Sequence, residues 1–298
     1  MDATRQRTDD DDGWATLLAS ARRASRHGAA ALDAAIDPAL LDLYGPLLGH
    51  AADAPLVVGH LGQSLDGFIA TESGDSRFVT GRDNILHLHR MRALCDAVVV
   101  GAGTVAADDP RLTTREVSGP SPLRVVLDPR RRLGGAHRVF TDGEAPTLLV
   151  HAAGVAASRP PPAGTAVETL ALPLAPAGGL DLEALLAALR ARGCTRVFVE
   201  GGARTVTAFL QSGLLSRLQV AVAPLLIGAG RPSVRLPGSM ALADCRPGGA
   251  MGPSMPALLI STSASASVAK WLSAPLSIQW IKASLSARSS ATCFSCAG

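Results

Sequence analysis

The stretch Ala97-Val-Val-Val-Gly101-Ala-Gly103-Thr104-Val-Ala-Ala-Asp108-Asp109-Pro110-Arg111-Leu112 decides the fold class of this 298-residue chain. Its apolar start predicts a strand that is covered on both faces, as in a parallel sheet. Gly101 to Ala106 fits the glycine-rich pattern of Rossmann folds, and the next predicted strand, Leu123–Leu127, ends in Asp128. That pattern requires a helix after the glycines, whereas Asp108–Leu112 predicts a rigid turn. We therefore disfavour an ordinary Rossmann fold.

Two further turn-rich segments precede this stretch, Ser64-Leu65-Asp66-Gly67 and Gly74-Asp75-Ser76. Such turns offer backbone amides and hydroxyl groups, which hold phosphates in proteins. Each segment alone predicts only a β-turn, because Asp and Gly are common turn residues. Their grouping within residues 61–115 indicates a site for a phosphorylated cofactor, a phosphorylated substrate, or both.

A fourth segment, Glu200-Gly201-Gly202, follows the predicted strand Arg196–Val199 and precedes a predicted helix. Two glycines at a helix N-terminus allow a pyrophosphate to approach closely, and the helix dipole favours its charge. Glu200 lies at the carboxyl end of a strand, where ligands bind in open α/β sheets. The segment therefore predicts a binding site.

Alternating strands and helices between Pro55 and Pro237 predict a largely parallel sheet with helices on both faces. The predicted strands are Leu56–Leu61, Ala97–Gly101, Leu123–Leu127, Thr147–His151, Arg196–Val199 and Leu218–Ala223, and the predicted helices are Asp83–Leu94, Leu182–Arg192 and Ala203–Ser212.

The first 54 residues are expected to form a helical extension. Trp14, Leu17, Leu18 and Ala21 have the spacing of an amphipathic helix, whose apolar face docks on the body or on a partner subunit.

Composition narrows the classes of partner. Aromatic residues make up only 3% of the chain and the net charge is +3, which argues against a nucleic-acid-binding protein. The only dense basic run, Arg130-Arg131-Arg132, predicts a solvated turn. Five cysteines, an odd number, indicate reduced thiols and a cytoplasmic protein; Cys293-x-x-Cys296 lacks a second ligand pair, so we expect no metal site. We expect no signal peptide, no transmembrane segment and no membrane partner.

Taken together, these segments resemble one family. Their order and spacing are similar to those of the riboflavin-biosynthesis pyrimidine reductases over about residues 55–240. Arg124-Val-Val-Leu-Asp128 and Ala223-Pro-Leu-Leu-Ile-Gly228 belong to the same resemblance. It implies a dihydrofolate-reductase-like α/β fold, with a mostly parallel central sheet and flanking helices, here carrying the N-terminal helical extension. It further implies a homodimer that uses NADPH to reduce 5-amino-6-(5-phosphoribosylamino)uracil, converting its ribosyl group to ribityl.

The resemblance also assigns site residues. It implies that the substrate is bound by Ser76, Arg92, Leu112, Arg115 and Glu200, with Ser76 and the two arginines on its 5′-phosphate. It implies that the cofactor is bound by Gly62, Phe78, Thr104, Asp108, Gly201, Gly202, Ala203, Arg204 and Thr205. Asp108 and Glu200 are the catalytic candidates, although catalysis is expected to depend more on placing the nicotinamide C4 against the sugar C1′.

The chain departs from the family at several positions. His60 stands where many members carry lysine, Pro129 where a hydroxyl residue is frequent, and Phe78 where tryptophan is usual. The deaminase motifs of the bifunctional relatives are absent from the sequence. The reductase domain is expected to span residues 55–245, followed by a Ser/Ala-rich tail, 246–298, whose low complexity predicts poor order. A shifted reading frame near Arg246 would produce such a tail; resequencing of the coding region tests this hypothesis.

Two rival functions remain at this point. A pterin or dihydrofolate reductase has the same fold, but its substrate lacks the phosphate that Ser76, Arg92 and Arg115 would hold. A non-catalytic nucleotide-binding paralogue is the rival from another class, favoured by the altered tail and by His60.

Overall fold

The computed structural model describes residues 13–21, 23, 36, 38–48, 50, 55–76, 79–156, 167–176, 178–236 and 238, and only the backbone at 39 and 277–282. Its helices are α1 (13–21), α2 (Pro38–Leu48), α3 (Gly81–Leu94), α4 (Ala102–Asp108), α5 (Arg138–Thr141), α6 (Leu182–Ala191) and α7 (Ala203–Gln211). Its strands are β1 (Leu56–Ser64), β2 (Phe68–Thr71), β3 (Ala97–Gly101), β4 (Leu123–Leu127), β5 (Thr147–Ala152), β6 (Val167–Leu172), β7 (Arg196–Glu200), β8 (Arg217–Ala223), β9 (Gly230–Pro232) and β10 (Ser277–Lys282).

Eight strands form one sheet in the order β10-β8-β1-β7-β3-β4-β5-β6. All of its neighbouring strands pair in parallel, while β2 and β9 form a separate antiparallel pair. The valines of β3, Val98–Val100, are fully buried because helices cover both faces of the sheet. The predicted parallel α/β architecture is therefore confirmed.

All six predicted strands and all three predicted helices are present, but α4 was not expected. Gly101 is the extended N-cap of this helix, so the glycine pattern does open a helix, contrary to the sequence analysis. The helix has only seven residues, because Asp109 takes up a left-handed conformation (φ 41°) and Pro110 follows it. Of the rigid turn predicted at Asp108–Leu112, Asp108 still belongs to the helix, and Asp109 and Leu112 both have a positive φ.

The apolar face predicted for residues 14–21 is buried against the body of the protein. Trp14, Leu17, Leu18 and Ala21 join a core cluster that also contains Tyr44 of α2 and residues of α3 and β3. The indole Nε1 of Trp14 donates to the carbonyl of Ser118 (2.9 Å). Of the two docking alternatives, the helix therefore uses the body of its own chain.

Much of the predicted tail lies outside the described residues, including Arg246, Cys293 and Cys296. Residues 277–282 are described, and they form β10 at the edge of the sheet, in parallel with β8. No strand was expected there. None of the described helices combines the length and the apolar character that a membrane span requires.

Candidate active site

A cavity of about 890 Å³ opens at the carboxyl ends of β1, β3 and β7. In open parallel sheets this edge is where ligands bind. The strands contribute His60 to Gly62, Gly101 and Glu200, and the helices α3, α4 and α7 contribute polar side chains and N-terminal residues. Its lining includes His60, Gly62, Gly74, Ser76, Thr80, Asn84, Gly101, Thr104, Asp108, Arg132, Glu200, Gly201, Gly202, Ala203, Arg204, Thr205 and Arg231.

A second cavity, of about 1340 Å³, adjoins the first over β4 and β5. Five residues line both: Gly101, Gly103, Arg132, Arg204 and Thr205. Together the two cavities offer room for a ligand much longer than one aromatic ring. Arg130 also lines the second cavity. The basic run that was predicted to be a solvated turn thus contributes two arginines, Arg130 and Arg132, to the lining of this cavity.

Glycines form a cradle between the two cavities. Gly201 has a φ of +101°, and a Cβ added there would come within 3.2 Å of Thr104. The Thr104 hydroxyl accepts a hydrogen bond from the amide of Gly202 (3.0 Å), which is the N-cap of the nine-residue helix α7. A Cβ on Gly101 would lie 2.5 Å from the Thr205 hydroxyl. Side-chain-free backbone at a helix N-terminus fits the pyrophosphate of a dinucleotide.

Arg92 and Glu200 form a buried ion pair at the floor of the site. The Arg92 Nε donates to one carboxylate oxygen of Glu200 (2.8 Å) and its Nη2 to the other, while Nη1 donates to the Thr113 carbonyl (3.1 Å). Only 7% and 12% of the two side chains are exposed. Glu200 thus lines the cavity as a carboxylate whose charge is balanced by Arg92. The hydrogen-bond donors of Arg92 are directed to Glu200 and to the Thr113 carbonyl.

Most of the predicted binding residues lie together. Those that line the smaller cavity are Gly62, Ser76, Thr104, Asp108, Glu200, Gly201, Gly202, Ala203, Arg204 and Thr205. Arg92, Leu112 and Arg115 do not line it. Leu112 is buried in the core with a φ of 58°, and Arg115 is exposed, with its amide donating to Nδ1 of His89 (3.0 Å). Phe78 lies outside the described residues.

The Asp108 carboxyl has an unusual setting. Burial raises its pKa, and the positive charge of Arg231 opposes this effect. Arg231 was not predicted as a site residue; it reaches the cavity from β9, and its guanidinium packs over Gly74, where an added Cβ would be 2.4 Å from Nη2. No motif marks Arg231, because the pairing of β9 with β2 that places it is a long-range contact.

The Asp66-Gly67 segment forms the turn that its sequence predicts. Gly67 has a φ of +80°, and the Asp66 carboxylate accepts hydrogen bonds from the amides of Ile227 and Gly228. The hydroxyl of Ser64 also donates to it, and this is the main cause of a pKa lowered to about 2. Asp66 therefore ties two loops together beside the site.

Residues 55–248 match the profile of one protein family, described as the RibD C-terminal domain. The chain belongs to this family. The expected family of riboflavin pyrimidine reductases is thereby confirmed, and with it the enzyme class, an oxidoreductase. Among the residues described, no group of three His, Cys, Asp or Glu side chains is arranged to hold a metal ion.

The chain is similar to curated proteins of two lengths, shorter ones named as reductases and longer ones named RibD. It is 37% identical over 178 residues to the 2,5-diamino-6-ribosylamino-4(3H)-pyrimidinone 5′-phosphate reductase of Methanothermobacter thermautotrophicus, covering 58% of this chain and 80% of that protein. It is 33% identical over 180 residues to the riboflavin biosynthesis protein RibD of Aquifex aeolicus, covering 60% and 49%. The chain thus spans about half the length of the RibD proteins that it matches.

Solved structures agree with this assignment. The deaminase/5-amino-6-(5-phosphoribosylamino)uracil reductase of Thermotoga maritima superposes with a TM-score of 0.52 at 30% identity, covering 64% of this chain and 50% of that one. The riboflavin biosynthesis reductase Rib7 of Saccharomyces cerevisiae gives 0.54 at 23% identity, covering 70% and 91%, which supports the fold alone. The dihydrofolate-reductase-like fold predicted for this RibD-family chain is confirmed.

The wall of the RibD-family cavity also contains a neutral buried histidine that the sequence analysis left without a role. His60 donates from Nε2 to Oδ1 of Asn84 (2.9 Å), and the Asn84 amide donates to the hydroxyl of Thr80 (2.8 Å). Burial is the main cause of the lowered pKa of His60, about 4. Burial also lowers the pKa of neighbouring His87 to about 3.

These two imidazoles predict acid sensitivity. Because their pKa values are lower in the folded than in the unfolded chain, the unfolded chain takes up protons first as the pH falls below about 6.5. The stability that they contribute is complete above this pH and is lost progressively towards pH 4, by about 3 kcal/mol for His60 alone and more with His87. Urea unfolding at pH 7.5, 6.5, 5.5 and 4.5 measures the loss. A free energy of unfolding that stays constant down to pH 5 would contradict the prediction.

Proposed function

We propose that this protein is an NADPH-dependent reductase that converts 5-amino-6-(5-phosphoribosylamino)uracil to its ribityl product in riboflavin biosynthesis. The observation that carries the proposal is the glycine cradle at Gly201-Gly202, which lies beside the charge-balanced carboxylate of Glu200. Dinucleotide and substrate would thereby share one cavity, in a chain of the RibD C-terminal domain family with a relative named as a pyrimidinone 5′-phosphate reductase.

The cradle and its surroundings fit a nicotinamide dinucleotide. Thr104, Gly201, Gly202, Ala203 and Thr205 would hold its pyrophosphate and ribose groups, with Gly62 and Asp108 nearby. Three arginines of the larger cavity, Arg130, Arg132 and Arg204, support the choice of NADPH over NADH, because guanidinium groups suit its additional phosphate. When bound, the dihydronicotinamide would supply a hydride for the sugar C1′.

The remaining polar residues would position the pyrimidine phosphate. Glu200 would accept a hydrogen bond from it, and Ser76 would face the 5′-phosphate. Arg115 lies outside the cavity lining but within electrostatic range of Arg92, and we propose that its exposed guanidinium reaches the same phosphate. Arg92, whose donors are taken up by Glu200 and Thr113, would contribute only its charge. Reduction of an imine at C1′ also requires a proton at the neighbouring nitrogen. Asp108 is the cavity carboxyl best suited to hold that proton, because burial raises its pKa.

An NADPH oxidation assay tests the proposal. Turnover of 5-amino-6-(5-phosphoribosylamino)uracil is expected, with no turnover of dihydrofolate. Turnover of dihydrofolate alone would support a folate reductase, and NADPH binding without turnover would support a non-catalytic paralogue. The 2,5-diamino-pyrimidinone phosphate belongs in the same assay, because two relatives, which the match covers to 80% and 90% of their length, are named as its reductases.

The phosphate assignment has its own test in Arg115→Ala. This change is expected to raise the KM for the pyrimidine phosphate about tenfold or more, because a charge-assisted contact is lost, with the Kd for NADPH nearly unchanged. Arg192→Ala is the control, since Arg192 pairs with Glu168 on the edge strand β6 and should alter neither constant. Equal weakening of both ligands by Arg115→Ala would argue against the assignment.

We further propose that the enzyme is a homodimer in the cytoplasm, with the small-molecule pyrimidine as its partner and no nucleic-acid or membrane partner. Light scattering of the purified chain would give its mass in solution, and a monomer would exclude the dimer.

A further inference from the structure

Helix α3 is attached to the sheet by polar contacts. Three of its side chains each meet a residue on a different strand: Asn84 bonds His60 of β1, His87 bonds Gln219 of β8, and Arg92 bonds Glu200 of β7. These three sheet residues are direct neighbours across the strands, since His60 is in register with both Glu200 and Gln219. Directional bonds of this kind fix the rotation of a helix more narrowly than apolar contacts do.

The contact between His87 and Gln219 is completed by Tyr44 of α2, in the N-terminal extension. Nε2 of His87 lies 2.9 Å from Oε1 of Gln219, a pure acceptor, so Nε2 carries the proton in the neutral ring. Nδ1 must then accept, and the hydroxyl of Tyr44 donates to it at 2.8 Å. Both side chains are buried, so loss of this hydroxyl would leave Nδ1 without its donor in an environment poor in water.

This contact continues to the cavity through neighbouring rings. Tyr44 stacks on His87 with 5.5 Å between the ring centroids, and His87 lies 5.4 Å from His60. His60 and its partner Asn84 both line the cavity, together with Thr80, to which Asn84 donates. The side chains of Tyr44, His87 and His60 thus connect the N-terminal extension to the cavity. Tyr44 lies outside the residues that match the family profile, 55–248.

We propose that Tyr44 is a positioning residue of the active site, which acts through His87 to fix His60 and Asn84 on the wall that meets the pyrimidine. The inference rests on the proposed function for its substrate. The wall in question is the pyrimidine side, because His60 is the register neighbour of Glu200. The N-terminal extension is therefore a component of the site, beyond covering the apolar core.

The test compares Tyr44→Phe with Leu17→Ala. Tyr44→Phe keeps the ring and removes the hydroxyl, which donates to His87 and also bonds Arg90. It is expected to raise the KM for the pyrimidine phosphate about fivefold, with the KM for NADPH changed less than twofold. Leu17 is fully buried in the same core cluster and its side chain has no hydrogen-bonding group, so Leu17→Ala lowers the unfolding temperature while leaving both KM values unchanged.

Two kinetic outcomes would overturn the proposal. Unchanged KM values in Tyr44→Phe would show that the extension does not act on the site, and an equal rise in both would indicate general loosening of the fold. A second readout does not depend on turnover: nitrogen-15 spectra of histidine-labelled protein, with the His60 signal identified by His60→Gln. A shift of that signal in Tyr44→Phe but not in Leu17→Ala supports the positioning role even if the wild type fails to reduce the pyrimidine, a failure that would count against the proposed function alone. An unshifted His60 signal overturns the inference.

Discussion

Glu200→Gln is expected to lower both the stability of the protein and its turnover of the pyrimidine phosphate. Glu200 and Arg92 are about nine-tenths buried, and the glutamine leaves the Arg92 charge without its counter-charge. Removal of one partner of a buried ion pair costs about 3–5 kcal/mol. Loss of a charged hydrogen bond to the substrate should lower kcat/KM by a further 10- to 100-fold, roughly. Denaturant unfolding and steady-state kinetics measure the two effects separately.

The surface pair Arg192–Glu168 provides a matched control. Its side chains are 30% and 59% exposed, so Glu168→Gln should cost less than about 1 kcal/mol. The double variant Arg92→Met with Glu200→Gln should be more stable than the sum of the single changes predicts, since no uncompensated charge is left. If Glu200→Gln proves as mild as Glu168→Gln, the buried ion pair does not have the structural weight given to it.

The second large effect is expected from Gly201→Ala. Gly201 has a φ of +101°, in the range that L-residues rarely adopt, and the new Cβ would press on Thr104 at 3.2 Å. Strain of this kind costs about 1–3 kcal/mol. Because Thr104 accepts from the Gly202 amide in the cradle, the affinity for NADPH should fall 10-fold or more, with larger losses at Gly201→Val. Fluorescence titration with NADPH measures the affinity.

Gly193→Ala separates backbone strain from loss of the cradle. Gly193 also has a positive φ, +80°, with no atom within 4 Å of the added Cβ, and it lines neither cavity. The stability of the Gly193→Ala variant should fall by a similar amount, while its affinity for NADPH is retained. A weakened affinity in both variants would attribute the effect to the fold, and unchanged affinity in Gly201→Ala would remove the cradle from the binding site.

Sequence reasoning found the parts of the fold with strong local patterns. The continuous valines of β3 predict a strand that is buried on both faces. The amphipathic spacing of α6 predicts a helix that is buried on one face. β9 has three residues, Gly230–Pro232, and exists only through its pairing with β2. β6, at a sheet edge with partly exposed side chains, has too weak a pattern to predict.

The same limit applies to the site. The glycine cradle could be predicted because Gly201-Gly202 lies directly between a strand and a helix, so that its chemistry is local in sequence. The pairing of Arg92 with Glu200 joins residues 108 positions apart, and the Tyr44–His87 bond joins two helices. No spacing rule announces such contacts, since they depend on how α3 rotates on the finished sheet.

The place of β1 in the sheet order has a consequence for synthesis of the chain. β1 is the earliest of the described strands, yet both of its neighbours, β7 and β8, come from the last third of the parallel domain. The strand partner of Leu56 is Arg196, which is synthesised about 140 residues later. On the ribosome, the chain must therefore carry an unpaired apolar strand while about 140 further residues are added, and a transcript truncated before β7 would yield an aggregation-prone fragment that depends on chaperones.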